Sequence, residues 1–270
     1  MFLSVVILSF NSSRHIDKCL SHVFESLKCV DKKSEVFVVE NGSSDGSLEI
    51  IDGFQKQYPE ILKVIKFESN TGTTYSRNAA LKQAKGDFIL VLDSDAYITA
   101  DAISMLTDYL AQTPDVGMAV PRLLYGSGNY QISCDEFPTL WLKAKRFLFL
   151  KEMEQKGDVL SLVDKPTEVD YAISACWMLS RRCFESVGLL DEKIFYSPED
   201  VDYCLRVWEA GFAINYIPSV SVIHDAQELS RGFKLTKFHF SHLKGLLYLM
   251  MKHRYFWGLS SLYKRLGKEA

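Results

Sequence analysis

The chain carries no excess of basic residues. Its 31 Lys and Arg stand against 34 Asp and Glu, a formal net charge of −3, which removes the electrostatic case for a nucleic-acid partner. No apolar run approaches the roughly 20 residues a membrane-spanning helix requires. The six cysteines, at 19, 29, 134, 176, 183 and 204, include no C-x-x-C pair, so neither a zinc site nor a thioredoxin-type motif is expected. Met1–Phe10 is apolar but lacks a basic start and a small-residue cleavage site, and it reads as a first strand, not a signal peptide. With no secretory signal, reduced thiols in the cytosol are the expectation. A G-x-G-x-x-G after a strand is missing, as is G-x-x-x-x-G-K followed by Ser or Thr, which argues against a dinucleotide Rossmann site and excludes a P-loop NTPase. Internal repeats and low-complexity segments are absent as well.

What is present is an ordinary globular composition, 47% apolar over 270 residues, enough for one large α/β domain or two small ones. Leu3–Leu8 reads as a strand, and Ser9–Phe10–Asn11–Ser12–Ser13 as a turn with capping residues. Ile16, Leu20, Val23 and Leu27 recur at helical spacing. Val36–Val39 is a second strand and runs into the polar turn Glu40–Asn41–Gly42–Ser43–Ser44–Asp45–Gly46–Ser47, followed by a helical Leu48, Ile51, Phe54 pattern. Leu62–Phe67 is a third strand. Asn70–Thr71–Gly72 and Thr73–Thr74 open a helix carrying Arg77 and Asn78 and closing at Gly86. Later come a strand ending at Asp93, a helix from about Asp101 to Gln112, and a strand Val116–Val120 ending at Pro121. Strand–helix alternation predicts a mostly parallel α/β sheet with every polar turn at a strand's carboxyl end, where such sheets bind ligands. Gly126–Pro166 is the least periodic stretch, with an apolar knot at Phe147–Leu148–Phe149–Leu150, and reads as a substrate-facing excursion. Tyr171–Leu179 is a strand, Arg181–Val187 a short helix, and Phe212–Ile217 and Val220–Ile223 are strands on either side of Pro218.

Four places carry chemistry. Five apolar residues, Phe88–Leu92, run straight into Asp93–Ser94–Asp95. Two carboxylates this close repel by about 1 kcal/mol in water and about 4 near a protein surface. A divalent cation relieves that, and Mg²⁺ or Mn²⁺ so held completes its shell with substrate phosphates. Asp-x-Asp alone also serves simply to end a strand in a turn. Ser197–Pro198–Glu199–Asp200 reads as a helix start, with Ser197 the N-cap, Pro198 first and Asp200 third in a capping box. Glu199 adds an acid that capping does not need. His224 ends a strand, where it is either a satisfied structural residue or a metal ligand. From Arg231 to Ala270 there are nine Lys/Arg and one Glu among Phe, Tyr and Trp. The stripe Leu243, Leu246, Leu247, Met250, Met251 there fits either a membrane-surface helix or a helix docked on the domain.

Taken together these stretches resemble glycosyltransferase family 2, the inverting nucleotide-sugar-dependent enzymes of GT-A fold. The similarity runs in order through Val5–Asn11, Val38–Ser47, Asn70–Ala80, Leu92–Ala96, Ser197–Arg206 and Val222–His224, about residues 2 to 226. The last two blocks are similar to bacterial rhamnosyl- and galactofuranosyl-transferases. The resemblance implies a single GT-A domain over 1–226, a nucleotide-binding half to about 121 and an acceptor-binding half from 122; beyond it, 227–270 reads as a basic amphipathic helical tail. The resemblance further implies a UDP- or dTDP-sugar donor, a glycan or lipid-linked glycan acceptor and bacterial surface polysaccharide synthesis as the setting; a lipid-linked acceptor would fit the membrane-surface reading of 231–270, contact with anionic membrane at the inner face of the plasma membrane. By the same resemblance Ser9, Asn11, Glu40, Asp45, Arg77, Asp93 and Ser94 bind nucleotide, with Glu40 accepting from the pyrimidine N–H in place of the commoner Asp. Arg77 neutralises phosphate or braces Asp93. Asp95, Asp93 and His224 hold the metal, Asp200 is the catalytic base, Glu199 orients the acceptor, and Trp177 either lines the sugar site or belongs to the core. A haloacid-dehalogenase-type phosphatase also places Asp-x-Asp after an apolar strand, but that motif comes early and has Thr or Val where this chain has Tyr97. A non-catalytic nucleotide-sugar or membrane-surface binding module is the other alternative.

Overall fold

The computed structural model describes residues 1–140, 159–225 and 237–268, with side chains in the last stretch described from Lys244 onward. The Phe147–Leu150 knot and the residues from 226 to 236 lie outside the described residues. The first half alternates as expected: β1 (Leu3–Ser9), α1 (Ile16–Val30), β2 (Ser34–Asn41), α2 (Ser47–Gln57), β3 (Leu62–Phe67), α3 (Thr73–Leu81) and β4 (Phe88–Asp93). A short β5 (Ala96–Tyr97), α4 (Ala100–Gln112) and β6 (Val116–Leu124) follow. Beyond them lie β7 (Tyr130–Gln131), β8 (Cys134–Asp135), β9 (Thr167–Glu168), β10 (Tyr171–Ala172), β11 (Cys176–Ser180), α5 (Arg181–Val187), α6 (Glu199–Glu209), β12 (Ala213–His224), α7 (Lys237–Lys252) and α8 (Ser260–Leu266).

The main sheet runs β3-β2-β1-β4-β11-β6-β12-β5. β1 to β4 are parallel neighbours, with Leu8 beside Asp93 and Ser9 beside Glu40, so the ends of β1, β2 and β4 share one edge. β11 is antiparallel to both β4 and β6. Its first residue, Cys176, therefore pairs with Leu92 near the end of β4, and the turn before it falls at the same edge. β12 is parallel to β6 and ends in an antiparallel pair with β5, His224 against Ala96.

Several boundaries differ from the sequence reading. Tyr171–Leu179 is not one strand: β10 pairs with β8 in a separate ribbon, and the chain breaks pairing before rejoining the main sheet as β11. Conversely, Phe212–Ile217 and Val220–Ile223 join into one β12 across an irregularity between Ile217 and Ser221. β6 continues past Pro121, which sits opposite Ile217 beside that irregularity, the kind of place where a residue without an N–H is tolerated in a sheet. α3 closes at Leu81, ahead of Gly86. Gly86 serves another purpose, since a Cβ there would lie 2.4 Å from the Ser4 nitrogen.

Side chains alternate to two cores, one on each face of the sheet. Val5 and Ile7 join Ile16, Leu20 and Leu106 on the side of α1 and α4. Val6 joins Trp177, Val201 and Cys204 on the other side, together with Leu246, Leu249, Met250, Tyr255 and Leu262 from α7 to α8. The C-terminal helices are thus part of the domain's own core, not an appendage to it. Among the described residues no helix is long and apolar enough to cross a membrane.

Candidate active site

Asp93 ends β4, and Asp95 lies two residues on, where the chain turns into β5. Because β12 pairs with β5, its last residue is delivered to the same point. His224 Nε2 lies 3.3 Å from an Asp95 carboxylate oxygen and 3.8 Å from one of Asp93, and the Asp225 amide donates to the Asp95 carbonyl at 2.9 Å. Ligand atoms of Asp93, Asp95 and His224 all lie within 4.8 Å of one another. Two carboxylates and an imidazole form a donor set suited to a divalent cation such as Mn²⁺ or Mg²⁺. The other ring nitrogen, Nδ1, is 3.0 Å from Gln131 Oε1 on β7, which orients the ring as ligand histidines are usually oriented. Burial opposes charge on His224, but the hydrogen bond and charges of Asp95 and Asp93 outweigh it and raise its pKa. Asp95 moves down, its burial outweighed by that bond and by the charge of His224, while burial pushes Asp93 up.

Arg77 is the buried link between this cluster and the second acid pair. It is 2% exposed, donates to Asp93 and to Ser174 Oγ (2.8 Å), and lies 3.7 Å from Glu199. Ser174 passes the contact on, donating to Glu199 at 3.1 Å. Of the two roles expected for Arg77, bracing Asp93 is the one its position provides. Glu199 is buried, and its carboxyl is pushed up to about 8 by burial and by the neighbouring Asp200, against the pull of Arg77. Asp200 is only partly covered, and its carboxylate accepts from the Val201 amide at 2.8 Å.

The helix expected to begin at Pro198 begins one residue later, at Glu199. Pro198 (φ −98°, ψ 72°) is itself the N-cap of α6, without a side-chain cap bond. Both acids consequently stand in the first turn, where the helix dipole favours negative charge. Trp177, offered for the acceptor side, is a core residue. It is 1% exposed, donates to the Ala172 carbonyl at 3.1 Å and stacks on Tyr203.

The turns after β1 and β2 are stitched together beside the acids. Asn11, in the left-handed region at φ 49°, accepts from the Ser44 amide (2.9 Å) while its own amide donates to Ser43 Oγ (3.0 Å). Asp45 accepts from the amides of Ser13 and Ser47 and is lowered to about 2, since these bonds and the Ser47 hydroxyl outweigh its burial. Ser9 is fully buried against Ser12 at 2.6 Å. Glu40 is 3% exposed and accepts from the Ser43 (2.7 Å) and Gly42 (3.2 Å) amides, so it shapes its own turn. Ser94 is partly exposed between the two acids. Asn78 exchanges two hydrogen bonds with the Leu190 backbone, tying α3 to the segment that leads into α6.

Sequence reading missed Gln131 and Ser174, whose partners are 93 and 25 residues away. It gave no role to Phe195 and Tyr196, both about half exposed. The signal for them was their place, immediately before the Ser-Pro-Glu-Asp block.

The family model described as glycosyl transferase family 2 matches residues 4–188. A poly(ribitol-phosphate) beta-glucosyltransferase of Bacillus spizizenii is 36% identical over 231 residues, 81% of this chain and 34% of that protein. An N-acetylglucosaminyl-diphospho-decaprenol L-rhamnosyltransferase of Mycobacterium tuberculosis is 23% identical across 94% of this chain and 86% of its own length. The chain spans only 26% to 34% of the length of three of the curated relatives it matches. Among solved structures, a mannosyltransferase from Pyrobaculum calidifontis in complex with GDP-Man and Mn²⁺ superposes with a TM-score of 0.62 at 19% identity, over 93% of this chain and 63% of that one. S. aureus TarS 1–349 in complex with UDP gives 0.56 at 21% identity, over 83% and 60%. The fold is GT-A. With the family match covering more than half of its length, the chain belongs to glycosyl transferase family 2.

Proposed function

We propose that this chain transfers a glycosyl group, with inversion, from a UDP- or dTDP-sugar to a hydroxyl of a glycan or lipid-linked glycan, in bacterial surface polysaccharide synthesis on the cytoplasmic side. The observation that carries this reading is the joining of two acid clusters through one buried arginine. Asp93, Asp95 and His224 stand on one side of Arg77, and Glu199 with Asp200 on the other. The relatives support it, since they include a glucosyl-, a rhamnosyl- and a mannosyl-transferase, the last in complex with Mn²⁺. The six free thiols suit a reducing compartment.

Asp93, Asp95 and His224 would hold Mg²⁺ or Mn²⁺. Such a cation supplies Lewis acidity toward a departing nucleoside diphosphate. The stitched turns of Ser9, Asn11, Glu40 and Asp45 would form the nucleoside pocket, with Ser94 at its rim; Glu40, which shapes its turn by accepting from the Ser43 and Gly42 amides, keeps lone pairs that would accept from the pyrimidine N–H. Burial and the neighbouring Asp200 raise Glu199 to about 8, which favours its neutral form near pH 7. As an acceptor oxygen bonds to the anomeric carbon and the bond to the diphosphate oxygen breaks, the hydroxyl proton passes to Asp200. Glu199 orients the acceptor.

The test is turnover. Purified protein with Mn²⁺, a panel of UDP- and dTDP-sugars and a glycan acceptor should release nucleoside diphosphate, and EDTA should stop it. Cleavage of phosphoesters without a sugar acceptor would instead indicate a phosphatase, and nucleotide-sugar binding without turnover a non-catalytic module.

A further inference from the structure

α7 presents two faces. Leu246, Leu249, Met250 and His253 are buried against the domain, while Lys244, Leu247 (40% exposed) and Met251 (60% exposed) lie on the opposite side of the same helix. The turn that follows continues this outer face with exposed Arg254, Phe256 (39%) and Trp257 (75%). The turn is anchored, since the Phe256 carbonyl accepts from the Leu140 amide at 3.0 Å. Its aromatics are therefore held outward by structure that is itself tied down.

The inner side of α7 grips the segment bearing the acid pair. Lys252 donates to Asp191 (2.7 Å) and Asp202 (2.6 Å). His253 bridges Asp202 (2.9 Å) and Glu209 (3.0 Å) along α6, and Tyr248 donates to Asp191 at 2.8 Å. Whatever the outer face rests on is thereby brought next to the acceptor side of the site.

Charge selects the occupant. Residues 231–270 hold nine Lys/Arg and one Glu, against 22 and 33 in the rest of the chain; Lys252 and Lys268 are paired with Asp191, Asp202 and Asp170, while Lys244 and Arg254 are exposed on the outer face beside its apolar side chains. A second copy of the same face would oppose positive charge with positive charge. An anionic bilayer attracts the tail, repels the body and accepts interfacial Trp, Phe, Leu and Met side chains.

We propose that the outer face of α7 and its following turn, Lys244, Leu247, Met251, Arg254, Phe256 and Trp257, docks on an anionic lipid bilayer and presents the acid pair to acceptors carried there. The part of this that concerns acceptors rests on the transferase reading above; the docking does not.

The experiment is flotation of the full chain with vesicles of equal parts phosphatidylglycerol and phosphatidylcholine, and with phosphatidylcholine alone. Protein should float with the anionic vesicles and not the neutral ones, and high salt should release it. The double variant Met251→Asp, Trp257→Ala should lower the bound fraction about tenfold or more while leaving melting temperature and Mn²⁺-dependent UDP binding unchanged, because both side chains are exposed. No flotation, or equal flotation with neutral vesicles, overturns the proposal. A concentration-dependent dimer abolished by the same double variant overturns it in favour of a second copy. Docking without any glycosyl transfer would remove the transferase reading alone, and transfer to a water-soluble acceptor without docking would remove this inference alone.

Discussion

Gly245 lies so close to Ser197 that a Cβ at position 245 would come 2.4 Å from the Ser197 carbonyl oxygen and 2.9 Å from the Pro198 ring. A helix from the end of the chain therefore rests on the turn immediately before Glu199 and Asp200. Gly245→Ala must displace that turn, and with it the acid pair. We expect kcat to fall about tenfold, as small misplacements of catalytic groups do, with UDP–Mn²⁺ affinity within about twofold of wild type. Steady-state kinetics beside calorimetry of UDP binding decides it; an unchanged kcat would mean that the turn is not positioned by α7.

Asp200→Asn removes the proton acceptor while keeping its shape and the hydrogen bond to the Val201 amide. The expected loss in kcat is about 10² to 10⁴, with nucleotide binding retained. Near-normal turnover in this variant would assign the base elsewhere.

Arg77→Met leaves Asp93 and Glu199 without the cation they share. Removing one member of a buried charged set costs about 3 to 5 kcal/mol, and the partial exposure of Asp93 (31%) places the expected loss near the lower end. Urea denaturation of wild type and variant gives the figure directly. A change of only a few tenths would show that Arg77 is not the brace described.

His253 supplies a pH dependence. Burial disfavours its charge, but hydrogen bonds to Asp202 and Glu209 outweigh that and raise its pKa above the ordinary value. Its contribution to stability is therefore complete below about pH 6.5 and is lost as pH rises through the folded pKa. Asp202 is lowered, its burial outweighed by His253, Arg206 and Lys252, so its contribution is present above about pH 4 and lost as pH falls through its folded value. Wild type should lose melting temperature between neutral and alkaline pH more steeply than His253→Gln. Parallel profiles would refute the assignment.

Gln131→Leu tests the support behind the candidate metal site. The variant frees His224 Nδ1 from its 3.0 Å partner without touching any of the three ligands. Mn²⁺ affinity should weaken by about ten- to a hundredfold, read by titration calorimetry in the presence of UDP.

Much of the fold was legible because the information is local. Apolar runs at Leu3–Leu8, Val36–Val39 and Phe88–Leu92 mark strands buried on both faces, and helical spacing from Ile16 to Leu27 needs no distant partner. The Arg181–Val187 helix was read to the residue. Asp93, Asp95 and His224 were singled out from position alone, each at the end of an apolar strand. The errors came where pairing partners are remote. Tyr171–Leu179 looks like one strand until β8 claims its first residues and β4 its last. Pro198 looks like the first residue of a helix until its backbone leaves the helical region and Glu199 takes that place. For Trp177, of the two readings left open, the structure gives the core one, stacked on Tyr203.

By itself the sequence determined the parallel half of the sheet, the strand-end acids and the uneven placement of charge, because residue period and residue type settle these within a few neighbours. Only the tertiary structure decided that Arg77 joins two acid clusters, that Gln131 orients His224, and that the C-terminal helix divides its stripe between the core and the surface. Those relationships join residues far apart in the chain, as Arg77 and Glu199 are, and no local preference encodes which of many compatible partners a folded chain brings within hydrogen-bond reach.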